Sequence, residues 1–493
     1  MLTATLSDYL LQRLDRSPGK PVNRQIYRLV REAVLDGVLG EGLQLPSSRE
    51  LARQLKLSRN TVIYAYEQLL AEGYLASRKG AGTYIARTVP DLSPPLAPPP
   101  QPTAARGASI GLSTRGAALV GGAGAHSVQW GAFLPGVPDV TRFPNVIWNR
   151  LHSTLWRRSR PEMLSYSSGG GHLPLREAIA DYLRVARSVN CHAGQVIITA
   201  GIHQSIDLVA KLLADPGERA WVEEPCYWGT HNVLNALNLE TVPIPVDADG
   251  ITFDEAKLRH PPRFIFVTPS HQYPLGSVMS LSRRRRLLEY AAAKQAWIIE
   301  DDYDSEFRYN GRPLAALQGM DACERVLYLG SFSKTLFPGL RIGYIVVPEA
   351  LARAFATGVS ELYRGGQVFT QAVLAEFMEK GYFSSHIRRM RILYARRRQL
   401  LQDAITASFG ERLAIAGGDA GLHLTLLLPD DCDDIAVSAQ AQQEGIIARP
   451  LSRYYKQIGF AKKGLLLGYA GVPDELIGPC FQRLAAIIKR HLQ

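Results

Sequence analysis

Apolar and polar positions change rhythm along the chain. Between residues 196 and 348 seven short apolar runs stand out: VIITA (196–200), AWVEE (220–224), TVPIPV (241–246), FIFVTP (264–269), WIIED (297–301), VLYLG (326–330) and GYIVVP (343–348). Helical patterns such as SIDLVAKLLAD and SLSRRRRLLEYAAAKQ separate most of them. Continuous apolar runs of strand length predict strands buried on both faces. Their alternation with helices predicts an α/β domain on a mostly parallel seven-stranded sheet. Functional side chains of such sheets lie past the carboxyl ends of the strands. Here AGIHQS, EPCYWG, PSHQYPLG, DDYDSEF and SFSK each follow an apolar run directly. No internal repeat is evident.

The front of the chain follows another pattern. QLPSSRELARQLKLSRNTVIYAYEQLLAEGYLASRKGAGTYIA (44–86) predicts helix, turn, helix and hairpin. Ser47 or Ser48 caps the first helix, with Glu50 in its first turn. Leu51, Ala52 and Leu55 form its inward face. Ser58 caps the second helix, and Val62, Tyr66, Leu69 and Leu70 follow the helical period inward. Arg59, Asn60, Thr61 and Tyr64 remain on the outer side of its start. A recognition helix presents such N-terminal residues to base edges in the major groove, and arginine and asparagine are the side chains that read guanine and adenine there. YLASR and TYIA around KGAG predict a basic two-stranded wing. The order is that of a winged helix-turn-helix, mainly α with a small β wing, whose partner is double-stranded DNA.

Between these parts lies VPDLSPPLAPPPQPTAARGASIGLSTRGAALVGGAGA (89–125), rich first in proline and then in glycine and alanine. Such a stretch buries too little apolar surface to fold alone and reads as a linker, stiff at its proline end and flexible at its glycine end. The expected organisation is a DNA-binding head over 1–86, a linker over 87–125 and a second domain over 126–493.

Composition sharpens this picture. A chain of 493 residues suggests two to three domains. The formal net charge of +11 suits a polyanionic partner. Residues 1–88 hold 13 Lys and Arg against 8 Asp and Glu, a balance of +5, so the excess is concentrated at the front. Five scattered cysteines, odd in number and without CxxC spacing, exclude a disulfide framework and a zinc site, so no metal is expected. No apolar run approaches the ~20 residues of a membrane-spanning helix. The start, MLTATLSDYLLQRLDRS, carries acidic residues and no long apolar core, unlike a secretory signal. The expectation is a cytoplasmic protein without a membrane partner.

The strand-end residues suit an aldehyde cofactor such as pyridoxal 5'-phosphate. That group needs a lysine for a Schiff base, a carboxylate beside its pyridine nitrogen, phosphate anchors and an aromatic face. In SFSKTLFPGLRIGY (331–344) Lys334 is the lysine, Ser331 and Ser333 offer hydroxyls to the phosphate, and Arg341 adds charge-assisted bonds. In IIEDDYDSEF, Asp301 or Asp302 pairs with the pyridine nitrogen and Tyr303 with the phenolic oxygen. Gly201, Ile202 and His203 open a helix whose N-terminal amides suit a phosphate dianion. Tyr227 supplies the stacking ring, and His271, Gln272 and Tyr273 line the ring edge.

Residues 10–86 resemble the winged helix-turn-helix of the GntR family, carried by LPSSREL and SRNTVIYAYEQLLAEGYL. The resemblance implies that Arg49, Arg59, Asn60 and Thr61 touch DNA, with Lys79 and Gly80 at the wing. Residues 130–490 resemble fold-type-I aminotransferases, which YSSGGGHLPLREAIADYL and AGLHL also fit. This implies Asp301 as the pyridine-nitrogen partner, Tyr303 as the phenolic-oxygen partner and Lys334 as the Schiff-base lysine. It further implies an obligate homodimer in which Tyr166 reaches the cofactor phosphate of the neighbouring subunit. A C-terminal arginine would bind the ligand carboxylate, with Arg453 preferred to Arg449. Tyr273 stands before proline where many aminotransferases have asparagine. Both parts together resemble the MocR/GabR subgroup of GntR-type regulators. That resemblance implies a transcription regulator sensing pyridoxal 5'-phosphate, or a small amine or amino acid captured as an aldimine at Lys334. The alternative is a working aminotransferase that carries a DNA-binding head.

Overall fold

The computed structural model describes residues 3–17, 20–78, 82–86, 111–121, 130–166, 169–253, 258–309, 314–457, 459 and 461–492. The chain divides into two units, residues 1–110 and 111–493.

The front unit holds α1 (Thr3–Arg13), α2 (Val22–Leu35), β1 (Gln44–Leu45), α3 (Ser48–Leu55), α4 (Arg59–Ala71), β2 (Leu75–Arg78) and β3 (Gly82–Ile85). The Ser47 hydroxyl accepts from the Glu50 amide and caps α3, so Ser47 rather than Ser48 is the cap. Lys56 closes α3 in the left-handed conformation at φ +52°. Ser58 caps α4 by accepting from the Thr61 amide. Leu51, Ala52, Leu55, Val62, Tyr66 and Leu69 are buried in one core with Ile26, Leu29 and Val30 of α2, and Leu70 packs against its edge. The Tyr66 hydroxyl donates to the Pro46 carbonyl at 3.0 Å, which ties α4 to the entry of α3. The wing has three strands in the order β1-β3-β2, all antiparallel, because Gln44 and Leu45 pair with Tyr84 and Thr83. Sequence patterning did not mark so short a strand as β1.

The second unit begins with α5 (Thr114–Gly121), inside the stretch expected to be linker. Its small residues allow a helix, and α5 lies against α9 (Trp228–Ala236). The rest of the 87–125 stretch lies outside the described residues apart from its short approach to α5. After α6 (Asn145–Arg157) and α7 (Leu173–Arg187) comes an eight-stranded sheet. Its strands are β4 (Val196–Thr199), β5 (Arg219–Glu224), β6 (Glu240–Asp247), β7 (Gly250–Ile251), β8 (Phe264–Val267), β9 (Trp297–Asp302), β10 (Val326–Ser331) and β11 (Gly343–Val346). They lie in the order β4-β11-β10-β9-β8-β5-β6-β7. The five central strands β10, β9, β8, β5 and β6 run parallel, and β11 runs against both its neighbours. All seven expected runs are strands; the eighth, β7, is a two-residue return after β6.

The pleat sends neighbouring residues to opposite faces. Ile299, Leu327, Leu329 and Ile345 enter one apolar layer together with α8 (Ile202–Leu213), while Ile298 and Val326 enter another on the far side. A second, antiparallel sheet has the order β12-β13-β15-β14: β12 (Ile415–Ala416), β13 (His423–Leu427), β14 (Arg449–Pro450) and β15 (Gly464–Gly468). The long helix Tyr382–Phe409 and the last helix Asp474–His491 pack together beside it.

Candidate functional site

The ends of β5, β8, β9 and β10 converge on one cavity. Asp301, Tyr227, Glu223, Thr268 and Tyr273 are among its lining residues. The pleat of β9 decides between the two candidate aspartates. Glu300 and Asp302 point to one side: Glu300 accepts from the backbone amides of Leu317 and Gln318, and Asp302 pairs with Arg187 Nε at 2.7 Å and accepts from the Tyr328 hydroxyl at 2.5 Å. Asp301 points the other way, into the cavity. Its burial, followed by the Asp302 charge, pushes its carboxyl up to about 7, while Lys334 pulls it back. A carboxyl raised in this way gains most from a cationic partner.

Lys334 lies in the turn after β10. Its Nζ donates to the Gly136 carbonyl at 2.7 Å. Burial lowers the ammonium below the usual lysine range, opposed by Asp304 and Asp301. A lysine shifted that way is readily uncharged and nucleophilic. Ser331 and Ser333 form one turn, with their hydroxyls 3.0 Å apart and the Ser333 amide donating to Ser331 Oγ.

The helix start after β4 is built for close approach. Gly201 holds φ +106°, which an L side chain rarely adopts, and a methyl there would come within 3.4 Å of Arg341 Nη2. Arg341 itself ends a short 3-10 turn at φ +51°. The guanidinium therefore lies against the N-terminus of α8, where the amides of Ile202 and His203 belong to the turn that lacks intrahelical partners. Burial, then the Arg341 charge, lowers His203, whose Nε2 lies 2.9 Å from the Tyr227 hydroxyl.

The rings form a second layer. Tyr227 and Tyr273 meet edge to face at 6.0 Å, and Tyr273 and Tyr303 at 5.5 Å. Tyr303 Oη and His271 Nδ1 are 2.9 Å apart. Gln272 is buried. Its amide donates to the carbonyls of Pro225 and Tyr273, with Glu223 beside it. Glu223 is buried and pushed up to about 7 by that burial, while Thr268 donates to it twice.

The two arginine candidates differ. Arg449 is buried on β14 opposite Leu466 of β15, and its charge acts on Tyr454 and Tyr273. Arg453 is exposed on the turn Leu451–Tyr454. Tyr166 is 84% exposed. In the front unit, Arg49, Arg59, Asn60 and Tyr64 are exposed on α3 and α4, and Thr61 is half-buried with its hydroxyl 2.8 Å from Ser58 Oγ. Lys79 and Gly80 lie outside the described residues. No group of three or more His, Cys, Asp or Glu that could hold a metal occurs among the described residues. No helix among them is long and apolar enough to cross a membrane.

Sequence reasoning missed Gly136, Arg187 and Asp304. Gly136 lies 198 positions from Lys334 and Arg187 lies 115 from Asp302, separations that leave no local signal. Asp304 follows Tyr303 directly, and its spacing could have flagged it. As a set, Lys334, Asp301, Tyr303, Tyr227, Arg341 and the start of α8 fit a pyridine ring bearing an aldehyde and a phosphate. The Asp301 carboxyl, turned into the cavity while Arg187 and Tyr328 hold Asp302, is the observation that carries this fit.

Comparison with known proteins agrees. Residues 22–85 match bacterial regulatory proteins of the gntR family, and residues 141–479 match aminotransferase class I and II. The chain is 41% identical over 460 residues to the probable rhizopine catabolism regulatory protein MocR of Rhizobium meliloti, covering 93% of this chain and 92% of the relative. It is 33% identical to the pyridoxine biosynthesis transcriptional regulator PdxR of Corynebacterium glutamicum, covering 93% and 94%. Among solved structures, Pyrococcus horikoshii kynurenine aminotransferase in complex with PMP matches with a TM-score of 0.68 at 27% identity, covering 74% of this chain and 92% of that one.

Proposed function

We propose, for a chain that belongs to the MocR-type regulators joining a GntR head to a class I and II aminotransferase domain, that it is a DNA-binding transcription regulator holding pyridoxal 5'-phosphate on Lys334. The carrying observation is the opposed orientation of two adjacent aspartates. Arg187 and Tyr328 occupy Asp302, and Asp301 is left facing the site beside Lys334.

When bound, the cofactor supplies an aldehyde that forms a covalent link with amines. The residues of the chain hold and orient it. Asp301 faces the pyridine nitrogen, Tyr303 the phenolic oxygen and Tyr227 the ring face. Arg341, Ser331, Ser333 and the amides of Ile202 and His203 receive the phosphate. The ligand is a small amine or amino acid that competes with Lys334 for the aldehyde, or the cofactor itself is the signal. Arg449, buried beside Tyr454 and Tyr273, is better placed for a ligand carboxylate than the exposed Arg453.

The exposed Tyr166 supports a homodimer in which it reaches the partner's phosphate. The organisation that follows is a head over 1–86, a linker over 87–125 and a sensing and dimerising domain over 126–493, acting in the cytoplasm. Arg49, Arg59, Asn60, Thr61 and Tyr64 of the head, with Lys79 and Gly80 at the wing, meet the duplex. Ligand exchange at Lys334 changes operator affinity to the extent that it favours one arrangement of the dimer over another.

The test is a spectral titration of the cofactor-loaded protein with a panel of amines and amino acids. A single stable spectral change with one ligand supports a sensor. Progress to the aminated cofactor, with recovery on adding a keto acid, would establish an aminotransferase with a DNA-binding head. An unchanged spectrum across the panel leaves the cofactor as the signal.

A further inference from the structure

His271 and Asp304 lie behind Tyr303, outside the set that holds the cofactor. His271 Nδ1 lies 2.9 Å from Asp304 Oδ1 and 2.9 Å from Tyr303 Oη. His271 is 3% exposed and Asp304 is 1% exposed. The imidazole and phenol rings stack with centroids 5.7 Å apart. His271 Nε2 is buried and has no hydrogen-bond partner among the described residues. Two glycines wall the ring in. A methyl on Gly421 would come within 2.2 Å of His271 Cε1, and one on Gly276 within 3.1 Å of Nε2.

An ionised carboxylate only accepts hydrogen bonds. The nitrogen that faces Asp304 must therefore carry the ring proton, or two sets of lone pairs would confront each other in a buried site. The other nitrogen has nothing to donate to, which agrees with a single proton on Nδ1. That one N–H is shared between Asp304 Oδ1 and Tyr303 Oη, so the tyrosine oxygen is an acceptor on this side. Burial holds the Tyr303 phenol well above its ordinary range, so it keeps its hydrogen. That hydrogen cannot go to His271 and is left to donate forward.

We infer that the Asp304–His271 dyad is a positioning device that fixes the Tyr303 O–H direction away from His271 and into the site. On the cofactor reading above, from which this inference takes its acceptor, the hydrogen goes to the phenolic oxygen. Donation there disfavours the proton on the neighbouring nitrogen of the Lys334 linkage, so the dyad sets the pH at which the cofactor's visible absorbance changes.

Two measurements test it. Nitrogen-15 NMR of histidine-labelled, cofactor-free full-length protein reads the His271 tautomer, and this arm does not depend on cofactor binding. The Nδ1–H form is expected; an Nε2–H form or a doubly protonated ring would overturn the dyad. In the loaded protein, His271→Ala should raise the absorbance midpoint by about one pH unit. His271→Asn, whose amide restores a donor where Nδ1 stood, should return it close to the original. In a Tyr303→Phe background, His271→Ala should move the midpoint no further. An equal shift in that background, or an asparagine variant no better than alanine, would show that His271 does not act through Tyr303. A protein that takes up no cofactor would refute the proposed function while leaving the tautomer result to decide the dyad.

Discussion

Lys334 Nζ donates to the carbonyl oxygen of Gly136 at 2.7 Å, joining the turn after β10 to a loop 198 residues earlier. Gly136 holds φ +74°, and a methyl built on it would stand 3.0 Å from Lys334 Nζ. Gly136→Ala therefore combines a left-handed alanine, costing about 1–2 kcal/mol, with crowding of the amine. The expected outcome is weaker pyridoxal 5'-phosphate binding, by roughly tenfold or more, and a lower unfolding midpoint. Cofactor titration by absorbance and thermal unfolding measure the two effects. Unchanged cofactor binding would mean that the Gly136 loop does not shape the lysine's site.

The Arg187–Asp302 pair is buried, each side chain 3% exposed. Arg187 also donates to Ser270 Oγ at 2.6 Å, so it links the ends of β8 and β9. Removing one member of such a pair strands a charge and costs on the order of 3–5 kcal/mol. Arg187→Met should lose that much in urea unfolding. Asp302→Asn, which removes the charge that helps raise Asp301, should lower the Asp301 titration. Normal stability in Arg187→Met would contradict the buried-pair assignment.

Asp301, Glu223 and Glu300 are each pushed up to about 7, burial being the first cause in all three. Their folded-state values lie above the unfolded ones, so the folded protein holds protons that the unfolded chain has released. Stability is then lost as pH rises from about 4 towards 7. Cofactor-free protein should unfold at lower urea concentration at pH 8 than at pH 6. Asp301→Asn should relieve part of the difference, on the order of 1–3 kcal/mol, while binding the cofactor poorly. An asparagine variant with the full pH dependence would remove Asp301 as a source of it.

In the head, Arg59 and Asn60 are exposed at the start of α4, directly after the Ser58 cap. Arg59→Ala should weaken binding to a selected duplex by ~1–3 kcal/mol and relax preference at one base position. Ser58→Ala should cost the isolated cap about 1 kcal/mol of stability. Competition binding against single-base variants separates the effects. An Arg59→Ala protein with full affinity and unchanged preference would move base reading to another residue.

Much of this molecule is legible in its residues because local rules suffice. Seven strands are marked by apolar runs, and both helix caps of the head by serine positions. The strand ends also mark Lys334, Asp301, Tyr303 and Tyr227. Patterns fail where a partner comes from far along the chain. The choice between Asp301 and Asp302 needs the pleat of β9 and the arrival of Arg187 from α7. The contrast between buried Arg449 and exposed Arg453 needs β14 to pair with β15. A segment that reads as linker carries α5, which lies against α9, an element more than a hundred residues further along the chain.

The central claim is that pyridoxal 5'-phosphate on Lys334 changes how the head binds DNA. The most direct measurement is fluorescence anisotropy on a duplex selected by this protein from random sequence. It is run with and without the cofactor and the amine panel, on the wild-type protein and on Lys334→Ala. The wild-type affinity should change at least ~5-fold on adding the cofactor or one amine, and the alanine variant should not respond. A wild-type affinity indifferent to cofactor and amines, or a Lys334→Ala protein that responds as the wild type does, would contradict it.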